Sequence, residues 1–309
     1  MITLLYAGNS DDWDTYAEVL PKALTAKGIK ANLTRDCDPT TVDYIIYTPN
    51  GPVQDFSPFT NLKAVLNLWA GVEKIEGNET LKVPLCRMVD SGLREGMTEW
   101  VTGHTLRYHL GMDSYILQQD GVWRNTPPPL ARNRTVGFLG LGELGQSSAK
   151  ALIDLNFNVL GWSRRQKTIP DMQCFSGEDG LTEILCKSEI LVLLLPQTPA
   201  THHILNAKSL QLLPQGAQII NPGRGPLIDD DALLAALNTG HIAHATLDVF
   251  NVEPLPPEHP YWAHKAVTVT PHIASETRAS TAAEVIAENV SRGESGQKFL
   301  YQVDRAAKY

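Results

Sequence analysis

"TVGFLGLGELGQSSAKALIDLNFNVLGWSRR", residues 135–165, decides the fold. It reads as a β-rich run, a glycine turn, a helical pattern and a second β-rich run, which together make one βαβ unit. The glycines follow the spacing G-x-G-x-x-G. Gly140 permits the tight turn, Gly142 lets the backbone approach a pyrophosphate, and Gly145 lets the helix pack on the strand. The start of that helix, near Leu144 and Gly145, offers unpaired N–H groups and a positive dipole end to phosphates. A glycine turn alone is weak evidence, but this one lies between the strand and the helix that dinucleotide binding requires. Such a unit usually carries an acid about 20 residues past the glycines to hold the adenosine ribose. Here Ser163, Arg164 and Arg165 stand there instead. An acid would repel a 2′-phosphate, whereas two guanidinium groups supply charge-assisted donors for one. The expected cofactor is therefore NADP(H) in preference to NAD(H).

Outward from this unit the alternation continues. "TVGFLG", "FNVLGW", "EILVLLLP", "AQIINP", "HATLDVF" and "AVTVTP" are six apolar runs separated by helical patterns, the signature of a parallel sheet covered on both faces. An earlier series, "ITLLYA", "IKANL", "YIIYT", "LKAVLNL" and "PLCRMV", predicts a second, smaller sheet. Between the two series lies a helical pattern from about 94 to 119, closed by the prolines at 127–129, which cannot continue a helix. After the second series, "STAAEVIAENVSRGESG" predicts a helix that packs back on the first domain. The expected fold class is α/β with two doubly wound parallel-sheet domains. A Rossmann-type dinucleotide-binding domain (99–276) is inserted into a flavodoxin-like substrate-binding domain (1–98 plus 277–309).

Bulk properties agree with two ordinary domains. At 309 residues the chain exceeds the size at which one core keeps growing, and 43% hydrophobic with 19% charged residues is globular composition. A net charge of −8 argues against nucleic acid or an anionic membrane as partner. "EILVLLLP" is too short to cross a bilayer, and the start "MITLLYAGNSDDWD" lacks the features of a signal peptide. Cys37, Cys86, Cys174 and Cys186 show neither disulfide-like nor metal-like spacing, so a reducing, cytoplasmic location without a bound metal is expected.

Three polar residues stand just past the later runs: Arg224 between two glycines, Glu253, and His272. Singly each is unremarkable, since Arg224 could cap a carbonyl, Glu253 could pair with a surface lysine, and most histidines are structural. Together, at the ligand-binding edge of one sheet, they suit hydride transfer to a 2-keto acid. A guanidinium holds a carboxylate and polarises the ketone oxygen. An imidazole donates the proton as the ketone becomes an alcohol, and a carboxylate on its other nitrogen orients the ring.

"INPGRGPLIDDDALLAAL", "TLDVFNVEPLPPEHPYW" and "VTVTPHIAS", in that order after the glycine fingerprint, resemble the signatures of the D-isomer-specific 2-hydroxyacid dehydrogenases. "LWAGVE", "WSRR", Thr277-Arg278 and the ending "QVDRAAKY" are similar to the glyoxylate/hydroxypyruvate reductase A type. The resemblance implies Arg224 for carboxylate binding, His272 as general acid/base and Glu253 as its partner. It implies that the Trp69-Ala70-Gly71-Val72 turn, with Arg278, binds the substrate carboxylate. Asp248 would hold the nicotinamide carboxamide, with Leu195, Pro196, Thr201 and Pro222 lining the cofactor. It further implies a homodimer through the 94–119 helix. The chain departs from the pattern at Pro222 and Pro226 around the "GRG" segment and at the bulky Trp69, and Tyr47 is a candidate pocket wall. The expected reaction is NADPH-dependent reduction of glyoxylate to glycolate and of hydroxypyruvate to D-glycerate. The alternatives are a dehydrogenase of a larger 2-keto acid such as phenylpyruvate, and a non-catalytic protein that senses NAD(P).

Overall fold

Both series of apolar runs form parallel sheets in the computed structural model, which describes residues 1–305. The last four residues of the "QVDRAAKY" ending lie outside the described residues. The chain divides into one unit of Met1–Leu93 with the segment from Glu276 onward, and another of Arg94–Ser275, where the sequence reading places the divisions at 98/99 and 276/277.

In the first unit the strands are β1 (Ile2–Ala7), β2 (Ala31–Thr34), β3 (Tyr44–Tyr47), β4 (Ala64–Asn67) and β5 (Leu85–Cys86). Their order is β2-β1-β3-β4-β5, all parallel, which is the flavodoxin-like winding. Successive residues serve opposite faces. Leu4, Tyr44, Ile46 and Leu66 pack under α1 (Trp13–Ala26) and the returning α8 (Ala279–Glu294), whereas Leu5, Ile45, Tyr47 and Val65 pack with Phe56 and Ile75. Strand β3 is buried along its whole length, as a central parallel strand must be.

The second unit opens with α2 (Ser91–His109), which begins at the junction of the units, and α3 (Met112–Leu117). The single helix expected over 94–119 is therefore two. Gly111 adopts a left-handed φ of 63°, which ends α2 and turns the chain before α3. Residues 118–130 follow as an exposed, irregular arm through the three prolines.

Its sheet comprises β6 (Thr135–Leu139), β7 (Asn158–Trp162), β8 (Gln173–Phe175), β9 (Ile190–Leu193), β10 (Ala217–Asn221), β11 (Ile242–Leu247) and β12 (Val267–Val269). The order β12-β11-β10-β9-β6-β7-β8 is again all parallel and reverses between β6 and β9, the doubly wound Rossmann arrangement. Seven strands stand where six runs are legible, because β8 is a three-residue edge strand with little apolar signal. Helices α4 (Glu143–Asp154), α5 (Gly177–Lys187), α6 (Ala207–Leu210) and α7 (Asp230–Asn238) complete the unit. Among the described residues, no helix is long and apolar enough to cross a membrane.

Candidate active site

All seven strands of the second unit run the same way, so the turns after β6, β7, β9, β10, β11 and β12 leave from one edge of the sheet. Ligands bind at this edge in such folds, beside the point where strand order reverses.

After β6, Gly140 takes φ +112° and donates its N–H to the Trp162 carbonyl at 2.9 Å. A Cβ at this position would overlap the Leu194 carbonyl at the end of β9, so only glycine fits. Gly142 precedes α4 without a side-chain cap, and nothing of the chain lies within 4 Å of where its Cβ would stand. The first bond into α4 is Gln146 N–H to the Gly142 carbonyl at 2.9 Å, which leaves the N–H groups of Glu143, Leu144 and Gly145 at the open helix end. A dinucleotide pyrophosphate fits this cradle, which combines amide donors, a positive helix end and an approach free of side chains. Beyond β9, Leu195 is buried, while the Thr201 hydroxyl donates to the Pro196 carbonyl at 2.7 Å and accepts from Thr198 N–H at 2.9 Å. Thr201 thus shapes its own loop.

After β7, Ser163 is buried and donates its hydroxyl to the Arg165 carbonyl at 2.7 Å. The serine braces the turn from within, and Arg164 and Arg165 are exposed on it. The sequence places no acid between Asp154 and Asp171, so no carboxylate of this turn opposes an anion there.

Three further loops leave adjacent strand ends, since Asn221 is in register with Leu247 and Leu247 with Val269. Beyond β10, the buried Asn221 side chain accepts from Gly223 N–H at 3.1 Å and donates to the Arg224 carbonyl at 3.0 Å, fixing both sides of the arginine. Pro222 is buried within this hook. A Cβ on Gly225 would overlap the Phe250 backbone, so the loops after β10 and β11 are in direct contact. After β11, Glu253 uses both oxygens: Oε1 accepts from Phe250 N–H at 2.9 Å, and Oε2 accepts from His272 Nδ1 at 2.8 Å. The His272 side chain is 51% exposed. With Nδ1 committed, Nε2 is the ring nitrogen left to exchange a proton.

His272 adopts φ +55°, a conformation that costs a non-glycine residue about 1–2 kcal/mol. Its N–H donates to the carbonyls of Asp248 at 2.8 Å and Thr270 at 3.0 Å. The buried Asp248 carboxylate completes the restraint. Oδ1 accepts from Thr270 Oγ1 at 2.6 Å and Ile273 N–H at 2.9 Å, and Oδ2 accepts from Ala274 N–H at 2.9 Å. Asp248 therefore holds the histidine loop in its strained turn.

In the first unit, β4 ends in the 69–72 turn. Asn67, itself buried, donates to the carbonyls of Trp69 at 2.9 Å and Gly71 at 3.0 Å, drawing them inward. The N–H groups of Ala70 and Gly71 have no acceptor among the described residues, which makes the turn a ready anion site. Trp69 is partly exposed, with Lys74 Nζ 5.8 Å from its ring centroid. Thr277 Oγ1 donates to the Leu68 carbonyl at 2.8 Å, and the exposed Arg278 directly precedes α8. Tyr47, the candidate pocket wall, is buried in the sheet against Phe56, because β3 is covered on both faces. Asn221 and Thr270 carry no motif that singles them out in the sequence. Asn221 acts through the backbone of its own turn and Thr270 through the Asp248 carboxylate, contacts that only the folded chain makes.

The profile of the family described as "D-isomer specific 2-hydroxyacid dehydrogenase, NAD binding domain" matches residues 105–274. The whole chain is similar to solved structures. A D-isomer specific 2-hydroxyacid dehydrogenase from Xanthobacter autotrophicus Py2, in complex with NADPH and MES, is 39% identical over 99% of both chains with a TM-score of 0.93. A probable 2-hydroxyacid dehydrogenase from Rhizobium etli CFN 42, in complex with NADP, HEPES and L(+)-tartaric acid, is 30% identical over 100% of both chains with a TM-score of 0.89. An NADPH-dependent glyoxylate/hydroxypyruvate reductase from Sinorhizobium meliloti, in complex with NADP and sulfate, is 30% identical over 100% of both chains with a TM-score of 0.85.

Proposed function

The chain belongs to the D-isomer specific 2-hydroxyacid dehydrogenases, and from that premise we propose that it is an NADP(H)-dependent reductase of small 2-keto acids, with glyoxylate and hydroxypyruvate as substrates. The observation that carries this reading is the 2.8 Å bond from His272 Nδ1 to Glu253 Oε2, on the same sheet edge as the glycine cradle and the loop of Arg224. When bound, the nicotinamide supplies the hydride. The Arg224 guanidinium holds the substrate carboxylate and polarises the ketone oxygen. His272 Nε2 delivers a proton to that oxygen as it becomes an alcohol. Glu253 fixes the ring tautomer and orientation, so the proton leaves from the nitrogen facing the substrate. The amides of the 69–72 turn and Arg278 add donors for the substrate carboxylate. Gly140, Gly142, Leu144 and Gly145 take the pyrophosphate, with Leu195, Pro196, Thr201 and Pro222 lining the cofactor.

The preference for NADP(H) rests on Arg164 and Arg165 standing where an acid would hold the ribose hydroxyls. The dinucleotide complexes of the Xanthobacter, Rhizobium and Sinorhizobium proteins support it. The Sinorhizobium reductase supports the choice of substrates. The arm at 118–130 and α3 expose Leu117 and Trp123, the latter 94% accessible, and this apolar strip is the contact of a homodimer in our reading. A cytoplasmic location accords with four cysteines that are all free thiols.

Initial rates with NADPH and NADH against glyoxylate, hydroxypyruvate and phenylpyruvate test the proposal. The expected result is a higher kcat/KM for hydroxypyruvate and glyoxylate with NADPH. A preference for phenylpyruvate would replace the substrate assignment with a larger 2-keto acid, and absence of turnover with every pair would leave a dinucleotide-sensing protein.

A further inference from the structure

The turn after β7 carries a third cation besides its two arginines. Lys167 reaches out of that turn and donates from Nζ to the carbonyl of Leu141 at 2.5 Å, the residue between Gly140 and Gly142. The side chain thus bridges the glycine turn and the arginine turn. Its base is firmly held. Gln166 Nε2 donates to the Cys174 carbonyl at 2.9 Å, Ser176 Oγ donates to Gln166 Oε1 at 2.9 Å, and the Ser163 hydroxyl ties Arg165. The far end is held as well, because Leu141 packs so closely over Gly161 that a Cβ there would stand 2.6 Å from Leu141 Cδ2.

An ammonium group has three donors, and Leu141 occupies one of them. Lys167 is half-buried and has no carboxylate partner among the described residues. Two donors and a full charge therefore remain for an anion arriving between the two turns. In a Rossmann-type unit that gap receives the adenosine ribose, with the pyrophosphate on the glycine side and the 2′ position toward the end of the second strand. We propose that Lys167 is a ligand of the adenosine 2′-phosphate and a determinant of NADP(H) over NAD(H). This rests on the cofactor preference argued above. Unlike the exposed arginines, Lys167 is already oriented by its bond to Leu141, so little rotamer freedom is lost when the phosphate arrives.

Dissociation constants for NADPH and for NADH, measured by isothermal titration on the full chain, test the assignment without reference to turnover. Lys167→Met keeps the length of the stem and removes the charge, and Lys167→Arg restores the charge. The expected result is that Lys167→Met weakens NADPH by about tenfold or more, the loss of one charge-assisted hydrogen bond. NADH should change by no more than about twofold, and Lys167→Arg should retain most of the NADPH affinity. Equal weakening of both dinucleotides would reduce Lys167 to a clasp on the glycine turn, and unchanged affinity for both would make it a bystander. Either result overturns the proposal alone, provided the unaltered protein prefers NADPH. An unaltered protein that binds NADH as tightly as NADPH overturns the cofactor reading and this inference together.

Discussion

Replacing Asp248 with asparagine tests how the histidine loop is held. The carboxylate accepts three hydrogen bonds in a buried setting, from Thr270 Oγ1, Ile273 N–H and Ala274 N–H. An asparagine side chain has the same shape but only one accepting oxygen. Whichever way it turns, an amide donor faces either the Ala274 N–H or the pair on the other side. At least one hydrogen bond to a charged acceptor is lost and one buried N–H is left unpaired, which together cost about 2–4 kcal/mol. In a unit of this size that lowers Tm by about 5–15 °C. The same bonds oppose the roughly 1–2 kcal/mol by which His272 favours leaving its positive φ. Once they are weakened the loop relaxes, and the population with His272 on Glu253 falls by about tenfold for each 1.4 kcal/mol lost. Scanning calorimetry and steady-state kinetics with hydroxypyruvate should therefore show a lower Tm and a lower kcat together. An Asp248→Asn protein with unaltered Tm and kcat but a raised KM for the dinucleotide would refute this reasoning and leave Asp248 a cofactor contact only.

Four other outcomes are expected. His272→Ala should lower kcat by about two orders of magnitude or more, because the proposed proton donor is gone; an unchanged kcat excludes the acid role. Arg224→Ala should damage KM and kcat alike, since in the proposed mechanism one guanidinium serves both bound substrate and transition state, and a loss confined to KM would argue against carbonyl polarisation. Burial, with the Arg107 charge beside it, pulls His244 down from an ordinary 6.5 to about 4, and burial lowers His104 as well. The neutral ring is the folded form, so its contribution is complete above pH 6.5 and is lost as pH falls toward 4. Urea midpoints should fall across that window, and His244→Gln should flatten the fall. Leu117→Asp with Trp123→Asp should convert a dimer to a monomer in sedimentation, and an unaltered sedimentation coefficient would locate the contact elsewhere.

Much of the fold is legible in the chain because strands buried on both faces leave unbroken apolar runs, as at "YIIY" and "ILVL". β8 is not legible, since an edge strand of Gln173, Cys174 and Phe175 has too few apolar residues to mark it. Nor is the break after α2, where Gly111 is one of several glycines and only its left-handed φ distinguishes it. At the site, the residues that carry a motif stand out by type and spacing: the fingerprint glycines, Arg224, Glu253 and His272. The bonds that brace them do not, even where a motif marks the residue, as it does Asp248. Asn221 hooks a backbone two and three residues on, Asp248 reaches the loop of the next strand, and Lys167 reaches the previous turn. The bonds of Asp248 and Lys167 depend on register between elements distant in sequence, and those of Asn221 on the backbone path of its own turn, neither of which the residue pattern encodes.

The contact between Gly225 and the Phe250 backbone links two parts of the machinery that sequence distance separates. Phe250 in turn holds Glu253 through its N–H, and Glu253 holds His272. A side chain introduced at residue 225 would push on this whole train, so the arginine loop and the His272–Glu253 pair shift as one body. Laboratory evolution toward new substrates should accordingly leave Gly225 unchanged, because any larger residue there displaces the arginine loop and the His272–Glu253 pair together.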